Sequence, residues 1–267
     1  MKDIITGFFM AWGNFSWIPC PHKVWDEKAK KWMLALMQFA GLLAGMAQFL
    51  LFALVFLLTQ YGILDSPFIV TTGLLTVMPF LLTGFIHVDG FMDCCDAIMS
   101  RRSLEERQRI LKDSRVGAFA VVMTICLFIT YFAAVFQMLN SYFAWPAMVA
   151  LALVPVVARF LASRDVLRLK PLSISQYAAI EEEKQSKVYE RTCIILGITI
   201  CICFALVSYF AFGMVRFIIA AILGGAVGQL IARKTAVKNL GGINGDIAGY
   251  SIVWGELIGA IAIGFMC

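Results

Sequence analysis

Charge is what this chain has least of. Asp, Glu, Lys and Arg make up 15% of its 267 residues against 61% hydrophobic, and the mean hydropathy is +0.85. A soluble domain carries about 25% charged residues, so a water-soluble globular protein is excluded and a polytopic membrane protein is implied. Paired cysteines are missing as well. The eight cysteines include no CxxC spacing, and Cys94, Cys95, Cys126, Cys201 and Cys203 lie in or beside apolar runs. They read as small buried apolar residues and not as disulfides or zinc ligands. No cleavable leader is expected, because the apolar run after Met1-Lys2-Asp3 is short and no small-residue cleavage site follows it.

Positive charge is nearly absent from one side of the expected membrane. Seven apolar stretches, 34–59, 67–86, 117–139, 142–162, 192–212, 214–231 and 247–266, each approach the ~20 residues that a spanning helix needs. With the N-terminus inside, the inner segments hold 5, 6, 7 and 3 Lys or Arg residues in turn, 21 of the 22, and Arg216 alone falls outside. That asymmetry predicts an all-α bundle of about seven transmembrane helices, N-in and C-out, forming one integral-membrane domain over residues 1–267. The sixth stretch is the weakest: Gly224-Gly225 and Gly228 suit either close helix packing or a re-entrant shape.

Ahead of the first span, Phe8, Phe9, Trp12, Phe15 and Trp17 precede Ile18-Pro19-Cys20-Pro21 and a mixed-charge stretch. The pattern predicts a short interfacial helix and a turn, with His22 on the surface. Gly41 and Gly45 form a small-xxx-small pair suited to helix packing. Pro79 and Gly84 are kink points at the inner end of the second span.

Just beyond lies Phe85-Ile86-His87-Val88-Asp89-Gly90-Phe91-Met92-Asp93-Cys94-Cys95-Asp96. At about 100° per helical residue, Asp89, Asp93 and Asp96 share an arc of roughly 60°. Like charges that close repel unless a cation sits among them, and carboxylate oxygens are the ligands that Mg²⁺ or Mn²⁺ prefers. The plainer reading is an acidic helix start favoured by the helix dipole. Beside a membrane segment, where ionisable groups are costly and usually functional, the divalent-metal reading is preferred.

Ser103 and Glu106 fit a capping box and predict a short cytoplasmic helix. It leads to Lys112-Asp113-Ser114-Arg115-Val116-Gly117-Ala118, where Lys112 and Arg115 are either phosphate clamps or positive-inside anchors and Asp113 is a candidate fourth carboxylate. Arg159 either snorkels to the interface or faces an anionic ligand. Residues 173–187 read as a polar surface loop or helix. Leu240-Gly241-Gly242-Ile243-Asn244-Gly245-Asp246 places three glycines where backbone N–H groups can approach a phosphate, and Asp246 where it can cap a helix or reach the metal. Glu256, inside the last span, is costly unless paired or facing a polar cavity.

The three motifs around Asp89, Lys112 and Gly241, in that order, together with the opening from Phe8 to Pro21, resemble the cobalamin synthase family, the adenosylcobinamide-GDP ribazoletransferases. Cys94 and Cys95 stand where small or hydroxyl residues are usual in that family. The resemblance implies transfer of the phosphocobinamide group of adenosylcobinamide-GDP to α-ribazole or its 5′-phosphate, with release of GMP, at the cytoplasmic face of the cell's inner membrane. It implies Mg²⁺, with Mn²⁺ as an alternative, held by Asp89, Asp93, Asp96 and Asp246. Catalytic roles fall to Asp89, Asp93 and Asp113, and phosphate contacts to Lys112, Arg115, Arg159, Gly241, Gly242 and Gly245. The implied partners are these substrates and the bilayer, with room for a homo-oligomer or association with other cobalamin-assembly enzymes; no nucleic-acid partner is expected. The acidic pattern also resembles the membrane CDP-alcohol phosphotransferases, whose full motif is absent. An ion-coupled transporter using Asp89, Asp93 and Glu256 is the non-enzymatic alternative, but it would place its acids near the bilayer midplane.

Overall fold

A computed structural model describes residues 2–65, 68–172 and 186–267 and, among them, an all-helical chain. The N-terminal helix α1 (Lys2–Phe15) is followed by an irregular stretch, a single 3-10 turn (Glu27–Ala29) and the short α2 (Lys30–Ala35). Then come α3 (Gln38–Gln60), α4 (Phe68–Leu82), α5 (Ile86–Met99), α6 (Leu104–Ile110), α7 (Ala118–Leu139), α8 (Ala144–Arg168), α9 (Ser186–Phe212), α10 (Arg216–Leu240) and α11 (Gly245–Gly264). Six of these, α3 and α7 to α11, are long and apolar enough to cross a membrane, which makes this a multi-pass membrane protein.

The second apolar stretch is where the straight-span expectation needs correction. The helices α4 and α5 meet at 89°, so together they form one bent span or a re-entrant turn. The bend is a Schellman closure: Phe85 N–H donates to Phe80 C=O at 2.9 Å and Gly84 N–H to Leu81 C=O at 2.9 Å. Gly84 and Phe85 both take left-handed φ values, 62° and 58°. Glycine adopts that conformation freely and phenylalanine only under constraint. Pro79, the other expected kink point, stays inside α4.

The helices α8, α9 and α10 also overrun their apolar stretches at one end, carrying Arg164, Asp165, Arg168, Lys187, Arg233 and Lys238 on continuous helix. Apolarity marks the part that crosses the bilayer, not where hydrogen bonding stops. Of the polar stretch 173–187, residues 173–185 lie outside the described residues.

Buried surface identifies the centre. In their most apolar windows α8 is 89% buried and α11 78%, whereas α9 is 17% buried and forms an outer wall. Small residues let these helices touch. Gly41 and Gly45 of α3 lie against the Pro155 and Ala152 carbonyls of α8, and Gly228 of α10 packs on the Trp254 carbonyl of α11. The glycines of α10 therefore serve close packing within a continuous helix, and the re-entrant alternative falls away. Cys94 and Cys95 are buried as expected, but Cys126 and Cys203 lie on exposed helix faces.

At mid-bundle, Arg159 of α8 and Glu256 of α11 form an ion pair of 2.5 Å with both side chains 1% exposed. Arg159 also donates to the Pro155 carbonyl at 3.0 Å. Arg159 thus neither snorkels nor faces an anionic ligand, because its charge is taken up by Glu256. Breaking a buried pair leaves an uncompensated charge at a cost of about 3–5 kcal/mol, whereas an apolar replacement of both partners is often neutral. Glu256→Gln is expected to lower the thermal midpoint of the detergent-solubilised protein sharply, and Arg159→Met with Glu256→Leu to recover most of it. Equal melting of the single variant and wild type would show that the pair holds nothing together.

Candidate active site

The amphipathic α5 carries the site. His87, Val88, Gly90, Phe91, Cys94, Cys95 and Ala97 point into the bundle, leaving Asp89 exposed and Asp93 and Asp96 half-buried on the other face. Gly90 sets the distance to α11: a methyl group there would lie 2.7 Å from Asp246 Cα and 2.8 Å from its carbonyl oxygen. Phe91 stacks on Tyr250 one turn further on, with ring centres 5.8 Å apart. The crossing brings the N-terminal end of α11, with Asp246, against the acidic helix. Asn244 caps α11, accepting from Ile247 N–H at 2.9 Å, and its amide donates to Asp246 Oδ2 at 2.7 Å. Asp246 is therefore held in place by the cap and is not the cap itself.

Asp89 and Asp246 line a cavity of about 140 Å³ that is closed behind by Phe15 and His87. His87 sits flat against Phe15, 6.1 Å between ring centres, and its Nε2 is buried without a hydrogen-bond partner. Burial, and secondarily the charge of Arg159, lowers its pKa well below the ordinary value, so the ring is neutral. Asp93 is pushed up to about 6, first by burial and then by the charges of Asp89, Asp246 and Asp96. The packing of Gly90 on the Asp246 backbone and the cavity shared by Asp89 and Asp246 bring acids of α5 and α11 into one region.

Asp96 has a different task. Its Oδ2 accepts from Gly117 N–H at 2.7 Å and its Oδ1 from Ala120 N–H at 2.9 Å, so it caps α7 from outside that helix. Among the described residues no three His, Cys, Asp or Glu side chains surround a single point as a ready-made metal cage. Mg²⁺ does not require one, since it commonly binds through one or two carboxylates and completes its shell with water and substrate phosphate oxygens. Asp89 and Asp246, which line one cavity, fit that mode, with Asp93 beside them on the same helix face.

Asp113 and Arg115 bond to each other at the surface. Arg115 Nη2 donates to Asp113 Oδ2 at 2.6 Å and Nε to Oδ1 at 3.0 Å, and this contact holds the Asp113 carboxyl at about 2. A carboxyl so acidic is a weak proton acceptor, so Asp113 orients Arg115 better than it would serve as a base. Lys112 is exposed next to the pair, and Arg159 is inside the bundle. Two of the three candidate glycines have structural duties. Gly241, at φ 92°, ends α10, its N–H donating to Val237 C=O at 2.9 Å. Gly242 packs on the backbone of Leu172, next to the bridge between Pro171 and Ile243. Gly245 lines the cavity with Asp246.

His87 is the cavity residue that reasoning from sequence left out of the site. Its signal was its position two residues before Asp89 in the same motif, but nothing in the sequence says that Nε2 faces inward with no partner.

The profile of the cobalamin-5-phosphate synthase family matches residues 7–264. A relative from Clostridium perfringens named adenosylcobinamide-GDP ribazoletransferase is 36% identical over 266 residues, covering 100% of both chains. Relatives of the same name from Clostridium botulinum and a Geobacillus species are 34% and 26% identical, covering 97% and 93% of this chain and 97% and 91% of theirs. No solved structure matches. With a profile match from the first helix to the last and full-length identity above 30%, the chain belongs to the cobalamin-5-phosphate synthase family.

Proposed function

We propose that this chain carries out the reaction its relatives are named for: transfer of the phosphocobinamide group of adenosylcobinamide-GDP to α-ribazole or α-ribazole 5′-phosphate. The acceptor hydroxyl gives up its proton to a carboxylate of the site as its oxygen attacks the phosphorus nearest cobinamide, the bond from that phosphorus to the oxygen of GMP breaks, and GMP leaves. This is the nucleotide-loop assembly step of cobalamin synthesis. The observation that carries the reading is the meeting of Asp89 and Asp93 with Asp246 at the Gly90 crossing, in a chain that matches the family over nearly its whole length.

A bound Mg²⁺ or Mn²⁺ would neutralise diphosphate oxygens and stabilise the departing phosphate. The chain's part is to present one or two carboxylates among Asp89, Asp93 and Asp246 as its ligands, hold Asp246 through Asn244, and keep water from the rear of the cavity with Phe15 and His87. Arg115, oriented by Asp113, offers a guanidinium to phosphate oxygens. The site faces the cytoplasm in the bacterial inner membrane, a reading supported by the 21 of 22 basic residues that gather on one side.

Purified protein incubated with adenosylcobinamide-GDP, α-ribazole phosphate and Mg²⁺ should yield GMP and adenosylcobalamin phosphate; no GMP above a no-acceptor control would refute the reading. A membrane-impermeant maleimide should label Glu105→Cys only after the cells are opened, and labelling of intact cells would reverse the orientation. Asp89→Asn and Asp93→Asn should each weaken Mn²⁺ binding and lower turnover by about a hundredfold or more. Asp96→Asn should instead lower the melting temperature through loss of a helix cap, about 0.5–2 kcal/mol. Because Asp93 is neutral below its raised pKa of about 6, Mn²⁺ affinity should fall as pH drops through that value, a step that Asp93→Asn should abolish.

A further inference from the structure

The acidic face of α5 ends at Asp96. On the far side of that residue lies a second, larger pocket of about 570 Å³, walled by α6 and by the start of α7. Three arginines line it, Arg102, Arg109 and Arg115, together with the carboxylates of Asp96, Glu106 and Asp113. Arg102 makes only a loose, exposed pair with Glu106 at 3.6 Å, and Arg115 is turned by Asp113. Arg109 forms no ion pair or side-chain hydrogen bond among the described residues, and its charge acts on Asp113 across the pocket. The Asp96 carboxylate that borders the pocket is already bonded to two backbone N–H groups of α7, so it does little to cancel these cations. Phe119, 44% exposed, gives the pocket one flat apolar wall.

Guanidinium groups beside an aromatic face are what a nucleotide requires: planar donors for phosphate oxygens and a surface on which a base can stack. The position also fits. Asp93 and Asp96 are three residues apart, about 4.5 Å along a helix axis, so a phosphate held at Asp93 lies about one helical turn from the pocket that Asp96 borders. The other large pocket, about 560 Å³ beside α1, is lined by Phe9, Trp17 and Trp25 with Lys23 as its one charged residue, and is poorly suited to an anion.

We infer that the pocket of Arg102, Arg109, Arg115 and Phe119 binds the nucleoside monophosphate that leaves, so that the activated substrate lies with its nucleotide toward α6 and its transferred phosphate at the acids of α5 and α11. The inference rests on the transferase reading and assigns to it an orientation.

The test is equilibrium dialysis of labelled GMP against the full-length protein in detergent, alongside turnover of adenosylcobinamide-GDP by the same preparation. The double variant Arg102→Gln, Arg109→Gln should bind GMP more than tenfold more weakly, with Mn²⁺ affinity unchanged. A control with the same charge loss elsewhere, Arg191→Gln with Lys234→Gln, should stay within twofold of wild type. Phe119→Ala should weaken GMP but leave inorganic phosphate competition unaltered. Undiminished GMP binding by the double variant, or equal weakening in the control, would overturn the assignment while turnover by wild type kept the transferase reading intact. A wild type that releases no GMP from the substrate would end both.

Discussion

The bundle is organised around a charge pair that an apolar interior would otherwise expel. Arg159 and Glu256 sit on α8 and α11, the two most enclosed helices, with 1% exposure each and 2.5 Å between them. An isolated charge at that depth would cost several kcal/mol, so each helix is stable there only beside the other. The pair sets how α11 lies against α8, and α11 carries Asp246 at its inner end and Tyr250 and Trp254 against Phe91. Packing in mid-membrane is in this way connected to the geometry of a site about three helical turns away.

The second constraint is the right-angled turn at Gly84 and Phe85. A straight continuation of α4 would carry Asp89, Asp93 and Asp96 along the bundle axis; the turn lays them across the N-terminal ends of α7 and α11 instead. Two different uses of carboxylate follow. Asp96 reaches the start of α7 and spends both oxygens on its backbone, while Asp89 and Asp93 stay beside Asp246, where burial and, after it, the neighbouring carboxylates raise Asp93 to about 6. One helical face thus supplies a structural cap and a charged site within two turns.

Much of this is legible in the sequence, for physical reasons that differ from place to place. Spans are visible because bilayer thickness imposes length and apolarity, and the capping box at Ser103 and Glu106 is visible because it is local and present as read. The shared face of the three aspartates follows from helical periodicity alone. The sequence does not disclose the partners that non-local packing selects: Asp96 with α7, Arg159 with Glu256, Leu172 with the glycine turn. Nor does it tell that the turn uses Gly84 and not Pro79, because both residue types permit one and only the hydrogen bonds around Phe80 decide. His87 is hidden for the same reason, since its role depends on which wall of a cavity it forms.

The central claim is that the acids of α5 and α11 form one site because Gly90 allows the two helices to touch. Gly90→Ala tests it directly, with Gly73→Ala on α4, where a methyl group meets nothing within 4 Å, as the control. Mn²⁺ affinity and kcat/KM should both fall more than tenfold in Gly90→Ala, in protein that remains folded, and stay at wild-type values in Gly73→Ala. Wild-type metal affinity and turnover in Gly90→Ala would show that Asp246 and the α5 aspartates do not act together.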